Sequence, residues 1–346
     1  MAPADRFVAR YDGALSATLS GVLDRVRSRD AALPILESDR LDGSTCLVTG
    51  ANRGLGLAVA RGLARRGARL VLACRSGRDE AVRAVRAVAG TGAEVRGVEL
   101  DLADLGSVER CVEELARTGE RLQVAILNAG VVPREARRTK DGFDESFQVN
   151  YLATSLFVRR LVDGRLLSSR RDDARQPRVV VVSSESHRSA PAIDLAKLGV
   201  FEAWGARRAV EQYGYGKLLL QTFTAELARR TRGMLAVHSL CPGAVRTDIG
   251  REAPRLLKPA LDLTMRAFFQ SPERAAQPVV YLACSRAMEG ETGVYLHTTR
   301  RREPSDRASD PTLGARLWDA SGRLLAAHGH PLCPADLAAA GSKGPP

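Results

Sequence analysis

The sequence predicts an α/β fold, a doubly wound parallel sheet of the Rossmann type with about seven strands in a single domain. Three observations carry this. From residue 44 to residue 300, short apolar runs alternate with longer helical stretches, the pattern of a parallel sheet covered by helices on both faces. No proline-rich or polar linker interrupts that alternation. The first apolar run passes straight into a glycine cluster and then into an apolar-periodic helix, the strand–turn–helix opening of a nucleotide-binding sheet.

In chain order, strands are expected near 44–49, 69–74, 94–100, 122–128, 178–183, 234–240 and 292–297. Helices are expected near 54–66, 77–89, 104–117, 142–162, 213–232 and 272–284. Residues 1–43 form an N-terminal helical extension, because Phe7, Tyr11, Leu15, Leu19, Val22, Leu23 and Val26 fall close to helical spacing and Pro34 should stop the helix. It either packs on the main domain or a second copy, or lies on a membrane surface. Residues 44–300 form the sheet domain, 301–337 a C-terminal helical extension and 338–346 a small-residue, disordered tail.

With 346 residues and 45% hydrophobic content, the chain can bury a sizeable core. The formal charge of +12 would suit an anionic ligand, a nucleic acid or a membrane surface. Only five of the 52 basic residues are lysine (Lys140, Lys197, Lys217, Lys258, Lys343), and the arginines run along the whole length. With no zinc-finger spacing or aromatic-basic motif, the charge is a composition bias and no nucleic-acid partner is expected. The six cysteines lie far apart, without a C-x-x-C pair or secretory leader, so free thiols and a cytoplasmic location are expected. No apolar run approaches the roughly 20 residues of a transmembrane helix.

The turn after the first strand reads Thr49-Gly50-Ala51-Asn52-Arg53-Gly54-Leu55-Gly56. Its glycines permit positive φ and close approach to a pyrophosphate, and the following helix offers unpaired N–H groups. In an NAD site a carboxylate at the end of the second strand would bond the adenosine ribose and repel a 2′-phosphate. Here that end is Leu72-Ala73-Cys74-Arg75-Ser76, and Arg53 supplies a second guanidinium. Arginine binds phosphate through charge-assisted bonds, so NADP(H) is expected ahead of NAD(H). Asp101-Leu102 after the third strand suits the adenine amino group, or caps a helix. In Leu127-Asn128-Ala129-Gly130, small residues let the chain pass against the cofactor.

Tyr213-Gly214-Tyr215-Gly216-Lys217 should open a helix, with Tyr213 and Lys217 on one face. A phenol with pKa near 10 exchanges protons poorly at neutral pH, and a nearby ammonium lowers it. Tyr215 has Leu219 four residues on and lacks that partner, and lysine is rare in this chain. Val179 to Val182 form a buried strand ending in Ser183 and Ser184, one of which, Ser184 for preference, could polarise a substrate carbonyl. Asn150 sits within an apolar helix and needs a partner, such as a water linking Lys217 to solvent.

These residues together resemble the short-chain dehydrogenase/reductase family over roughly 44–300. The resemblance implies that Asn150, Ser184, Tyr213 and Lys217 form the catalytic tetrad, with Lys217 also binding the nicotinamide ribose. It implies that Cys241-Pro242-Gly243-Ala244-Val245-Arg246-Thr247 is the Pro-Gly segment at the nicotinamide end, so that Pro242, Gly243, Val245 and Thr247 join the cofactor site. Ala73-Cys74-Arg75, Ser183-Ser184-Glu185-Ser186-His187 and Gly293-Val294-Tyr295 are similar to the retinol-dehydrogenase-like branch. Three departures stand out: Leu127 replaces the usual first Asn, the N-terminal span of membrane-bound relatives has no counterpart, and Ser184 lies 29 residues before Tyr213, implying an inserted loop.

The expected activity is hydride transfer between NADP(H) and a carbonyl or alcohol. Residues 248–270, with Ile249, Leu256, Leu257, Leu261, Leu263, Met265, Phe268 and Phe269, are either core helix or a lid, and a lid would favour a lipophilic substrate. The alternative is an NADPH-binding sensor or scaffold without turnover. Metal ligands are not expected, and the sequence leaves peripheral membrane contact and homo-oligomerisation open.

Overall fold

The computed structural model describes residues 33–90, 92–119, 121–169, 175–245 and 270–332. The expected helix within residues 1–32, Thr247, the segment 248–269 and the tail 338–346 lie outside the described residues.

The strands are β1 (Thr45–Thr49), β2 (Arg69–Cys74), β3 (Val95–Glu99), β4 (Val124–Leu127), β5 (Arg178–Val182), β6 (Ala236–Cys241), β7 (Tyr295–His297) and β8 (Arg300–Arg302). The helices are α1 (Gly54–Ala64), α2 (Arg78–Arg86), α3 (Leu105–Arg117), α4 (Glu145–Phe147), α5 (Ala153–Asp163), α6 (Ala209–Arg230), α7 (Pro272–Cys284), α8 (Asp306–Ser309) and α9 (Pro311–Ala327). They build one sheet of order β3-β2-β1-β4-β5-β6-β7-β8. Every pairing is parallel except β7 with β8.

Among the described residues the sheet has eight strands, one more than the seven ranges expected above. β8 is Arg-Arg-Arg, exposed throughout, and an edge strand without apolar alternation gives no strand signal. It is joined to β7 through Thr298, whose φ of +53° is unusual for a residue with a branched side chain. The expected helix at 142–162 is also divided, since the segment Gln148–Leu152 between α4 and α5 is a π-turn, a feature that hydrophobic periodicity does not reveal. Helix α6 opens at Ala209, one turn before the expected Tyr213.

The central strands are valine-, leucine- and alanine-rich because both faces are covered: β1, β4, β5 and β6 are buried at every position. One face packs α3, α5, α6 and α9, with Leu105, Phe157 and Leu219 in its core. The other packs α1, α2 and α7, with Val59, Leu63 and Val279. Gly62 lets α1 and α7 meet, since a β-carbon there would lie 2.8 Å from Val280 Cγ2. Helix α9 closes the first face, stacking Trp318 on Phe223 at 5.2 Å with the Arg159 guanidinium 3.9 Å from the indole.

His238 on β6 is fully buried, and neither ring nitrogen has a hydrogen-bond partner among the described residues. Burial, then the Arg178 guanidinium, lowers its pKa to about 3. The folded state therefore refuses a proton that the unfolded chain takes up below its ordinary 6.5, and stability falls as pH drops from 6.5 toward 3. The loss should reach about 1–2 kcal/mol by pH ~5. His238→Leu removes two unpaired buried nitrogens and should raise the melting temperature by a few degrees and flatten stability between about pH 7 and 5. Thermal unfolding across that range checks both; an unchanged pH slope would assign the acid sensitivity elsewhere.

Candidate active site

The strand order reverses between β1 and β4, and at such a point the loops leaving the two strands open a crevice at the carboxyl edge. The glycine turn leaves β1 there and Asn128-Ala129-Gly130 leaves β4. They are stapled by Thr49, whose Oγ1 accepts from Asn128 N at 2.9 Å and Ala129 N at 3.0 Å, while Asn128 Nδ2 donates to Thr49 O at 3.0 Å. Gly50 (φ +65°) allows this approach: its β-carbon would meet Ala129 Cα at 3.0 Å. At Gly56 a β-carbon would fall 2.3 Å from Gly50 O, so the turn curls tightly onto the first turn of α1.

That helix end suits an anion. Its N-cap, Arg53, makes no side-chain capping bond, and the first turn contains no acid, so its N–H groups are left for an external acceptor. Gly54 (φ +53°) has open space where a side chain would stand. Asn52 Nδ2 donates to Ser76 O at 3.1 Å, bringing the turn with exposed Arg53 beside the end of β2 with exposed Arg75. Arg78, not singled out from sequence, joins them: it donates to Arg75 O at 3.4 Å and pairs with Glu99 at 3.2 Å. Asp101 receives Ala103 N on Oδ1 at 3.0 Å, so part of its role is to shape the loop after β3. Leu102 is buried. These features fit a dinucleotide pyrophosphate with a phosphorylated or free ribose beyond it.

The reacting groups converge further along the same edge. Tyr213 and Lys217 lie one turn apart on α6, with Lys217 Nζ 5.7 Å from the phenol ring centre. The ammonium is buried and donates to Val182 O at 2.8 Å, at the end of β5. Burial depresses the Lys217 pKa to about 8. Tyr213 is raised to about 12 by burial, against a hydrogen bond with Ser184 that pulls it down. The sequence leads one to expect Lys217 to depress the phenol pKa. In the structure desolvation dominates both groups, because Nζ is turned to the Val182 carbonyl and the Tyr213 hydroxyl to Ser184.

Ser183 is buried within the sheet, whereas Ser184, partly exposed, carries the hydroxyl bonded to Tyr213. Ser184 caps a 3-10 turn over Glu185–Arg188, its Oγ accepting from Ser186 N at 3.2 Å. Asn150 occupies the π-turn. Its Oδ1 accepts from Val131 N at 2.8 Å, and its amide donates to Val131 O at 2.9 Å and Ser146 Oγ at 3.1 Å. The Asn150 side chain thus clamps the β4 loop and keeps only one Oδ1 lone pair for a water. Gly130 lies between: a β-carbon there would be 2.9 Å from Asn150 Oδ1 and 3.8 Å from Lys217 Nζ.

Beyond β6, Pro242 O accepts from Gln270 Nε2 at 2.5 Å, Gly243 takes φ +77°, and buried Val245 bridges to Gln270. The stretch before α6 is anchored at two points. Trp204 Nε1 donates to Asp144 Oδ2 at 3.1 Å, and Gly199 packs against Leu324 of α9 and Phe143. Thr49, Val182, Glu185, Ser186 and His187 hold the site together; they stand inside the motifs quoted above, which gave them no individual role. Glu185 and His187 carried a signal, as charged and titratable groups directly after the candidate serine.

This edge geometry is that of a nucleotide-dependent oxidoreductase. A family model described as short chain dehydrogenase matches residues 44–193. Retinol dehydrogenase 14 of Homo sapiens is 38% identical over 298 residues, covering 81% of this chain and 86% of the relative. Among solved structures, an uncharacterised protein from Mycobacterium paratuberculosis superposes with a TM-score of 0.64 at 28% identity, over 87% of this chain and 99% of that one. The angucycline C-6 ketoreductase LanV with bound NADP has a TM-score of 0.57 at 25% identity, over 75% and 95%. The chain belongs to the short-chain dehydrogenase/reductase family of NAD(P)-dependent oxidoreductases acting on CH–OH groups, in its retinol-dehydrogenase-like branch. Among the described residues no helix is long and apolar enough to cross a membrane.

Proposed function

We propose that the chain is an NADP(H)-dependent enzyme that interconverts a lipophilic carbonyl compound and its alcohol, with Asn150, Ser184, Tyr213 and Lys217 as the reacting set. The observation that carries this is the Tyr213 hydroxyl bonded to Ser184 with the buried Lys217 ammonium one helical turn away. Arg53 and Arg75, exposed on adjacent loops with no acid between them, support NADP(H) over NAD(H). Retinol, the alcohol in the human relative's name, is lipophilic, which supports the substrate class. The free, buried state of the five described cysteines supports a cytoplasmic setting.

The glycine turn, the α1 N-terminus, Asn128 to Gly130 and Pro242 to Val245 would hold the dinucleotide. When bound, it supplies the hydride. Ser184 donates to the carbonyl oxygen and orients it. Tyr213 passes its proton to that oxygen as charge develops, and the Lys217 ammonium stabilises the resulting phenolate. Asn150 fixes the β4 loop against Lys217. Oxidation runs the same steps backward.

Lys217 is charged below its pKa of about 8 and neutral above it, so the phenol loses its electrostatic partner as pH rises. For carbonyl reduction, kcat/KM should therefore fall as pH rises through about 8, reporting the free enzyme. Lys217→Arg, which stays charged, should abolish that limb. A profile flat from about pH 7 to 9.5 in the parent would remove Lys217 from this role.

The deciding experiment is a panel of aldehydes, ketones and alcohols with NADPH/NADP and NADH/NAD in parallel, following reduced-nicotinamide absorbance. Turnover of apolar members with NADPH is expected. Tight NADPH binding with no turnover across the panel would replace the enzyme reading by that of a nucleotide sensor.

A further inference from the structure

The turn that follows Ser184 is bound on its far side to the C-terminal segment, through groups that the mechanism above does not use. His187 is buried. Its main-chain N donates to Ser184 O at 3.2 Å, and its Nδ1 lies 2.6 Å from the same oxygen. Ser305 N donates to His187 Nε2 at 3.1 Å. Nε2 must therefore be the acceptor and Nδ1 the protonated donor, a tautomer assigned from its partners. Glu185 accepts from Tyr295 OH of β7 at 2.6 Å, from Arg302 of β8 at 3.0 Å and from Arg188 at 2.9 Å. Arg188 also donates to Glu303 O at 2.5 Å. On the near side, a β-carbon on Gly214, next to Tyr213, would lie 2.9 Å from Ser186 O. The turn is thus wedged between the start of α6 and the β7–β8 hairpin, with Ser184 at its N-terminal end.

We propose that Glu185 and His187 are positioning residues for the reaction, transmitting the placement of the β7–β8 hairpin and Ser305 to the Ser184 hydroxyl and so to its bond with Tyr213. This rests on the assignment of Ser184 and Tyr213 as reacting groups. The physical argument is one of tolerance. A hydroxyl that must hold both a phenol and a substrate oxygen works only within a fraction of an ångström, and a 1 Å displacement can cost about 100-fold in rate. The Ser184 side chain has one short lever, its own backbone, and the His187 ring and main chain both hold the carbonyl at its end. A loop held only by its own 3-10 turn would not be fixed against α6.

The consequence reaches the phenol. The Tyr213 hydroxyl meets Ser184 at the end of β5, which pulls its pKa down, with Cys241 at the end of β6 acting on it as well, while Lys217 Nζ on its own helix lies 5.7 Å from its ring centre. Around His187 stand Glu185 and Arg188 of its own turn and the Tyr295 ring at 5.7 Å. Loosening the turn should therefore slow the proton step.

The test uses the full chain, NADPH and the panel aldehyde that it reduces fastest. His187→Ala should lower kcat by about 10-fold or more and leave the Kd for NADPH, read by its bound fluorescence, within about twofold. His187→Asn returns an N–H near the Nδ1 position and should recover much of kcat. Ser305→Pro removes the single N–H given to Nε2 at a residue whose φ of −63° already suits proline, and should lower kcat several-fold. It carries the test if His187→Ala does not fold. Tyr213→Phe is run in parallel. If it abolishes turnover while both clamp variants keep the parent kcat, the positioning role is overturned. An active Tyr213→Phe would instead overturn the catalytic assignment beneath it. Equal losses in His187→Ala and His187→Asn, with NADPH binding lost in proportion, would reduce His187 to a fold residue and also overturn the proposal.

Discussion

Tyr213→Phe is expected to lower kcat by about 10³-fold or more, within the range for loss of a general acid, with the Kd for NADPH within about twofold of the parent. The asymmetry follows from where the hydroxyl points. The ring of Tyr213 packs on α6 beside the Ser184 turn, and its oxygen bonds Ser184. The glycine turn, Asn128 and the α1 N-terminus lie on other elements and keep their own bonds. Removing one oxygen deletes the proton donor and leaves Ser184 Oγ its bond with Ser186 at 2.9 Å. Ser184→Ala should cost less than Tyr213→Phe, since it weakens orientation of the substrate oxygen without removing the proton. Single-turnover reduction with saturating NADPH, paired with NADPH titration, checks both. Full kcat in Tyr213→Phe would end the assignment, and parallel loss of NADPH affinity would make Tyr213 a binding residue instead.

How much of this was legible in the sequence depends on whether a feature is local. Strands such as Val179 to Val182 and the turn from Thr49 to Gly56 announce themselves, because a buried parallel strand needs an unbroken apolar run and a pyrophosphate turn needs glycine at fixed steps. The Tyr213–Lys217 pairing follows from helical pitch alone. What escaped is non-local or conformational. No periodicity marks the π-turn at Gln148–Leu152, which sets the Asn150 amide on Val131. Nothing in Arg300 to Arg302 reads as a strand, because its pairing with β7 is supplied by Thr298 in a left-handed conformation. The His187–Ser305 bond joins residues 118 apart in sequence. The pKa expectation also depended on three-dimensional detail: a helix places Lys217 beside Tyr213, but only the fold shows that Nζ is turned to Val182 O and that burial outweighs it.

Replacing both Arg53→Ala and Arg75→Asp should lower the ratio of kcat/KM with NADPH to that with NADH by at least about 100-fold. A guanidinium bonded to a phosphate contributes about 1.5–3 kcal/mol, roughly tenfold to over 100-fold in affinity per residue. The introduced carboxylate would also repel a 2′-phosphate and offer an acceptor to a 2′-hydroxyl. Part of the preference should survive, for a reason visible in the structure. Arg78 stands at the same edge, bonded to Arg75 O and paired with Glu99 at 3.2 Å. The carbonyl of residue 75 is main chain and survives the substitution, so Arg78 stays at this edge, within reach of either the phosphate or the new carboxylate. Arg75→Asp with Arg78→Ala should therefore shift the ratio further than Arg75→Asp alone. The effect should weaken as salt rises, because Arg53 and Arg75 are exposed and the Debye length shrinks from about 10 Å at 0.1 M to 3 Å at 1 M. Steady-state kinetics with both nucleotides at two salt concentrations measure all of this. Equal losses with NADPH and NADH would mean that the arginines support the loop and do not read the ribose; an unchanged ratio would move nucleotide selection to another part of the chain.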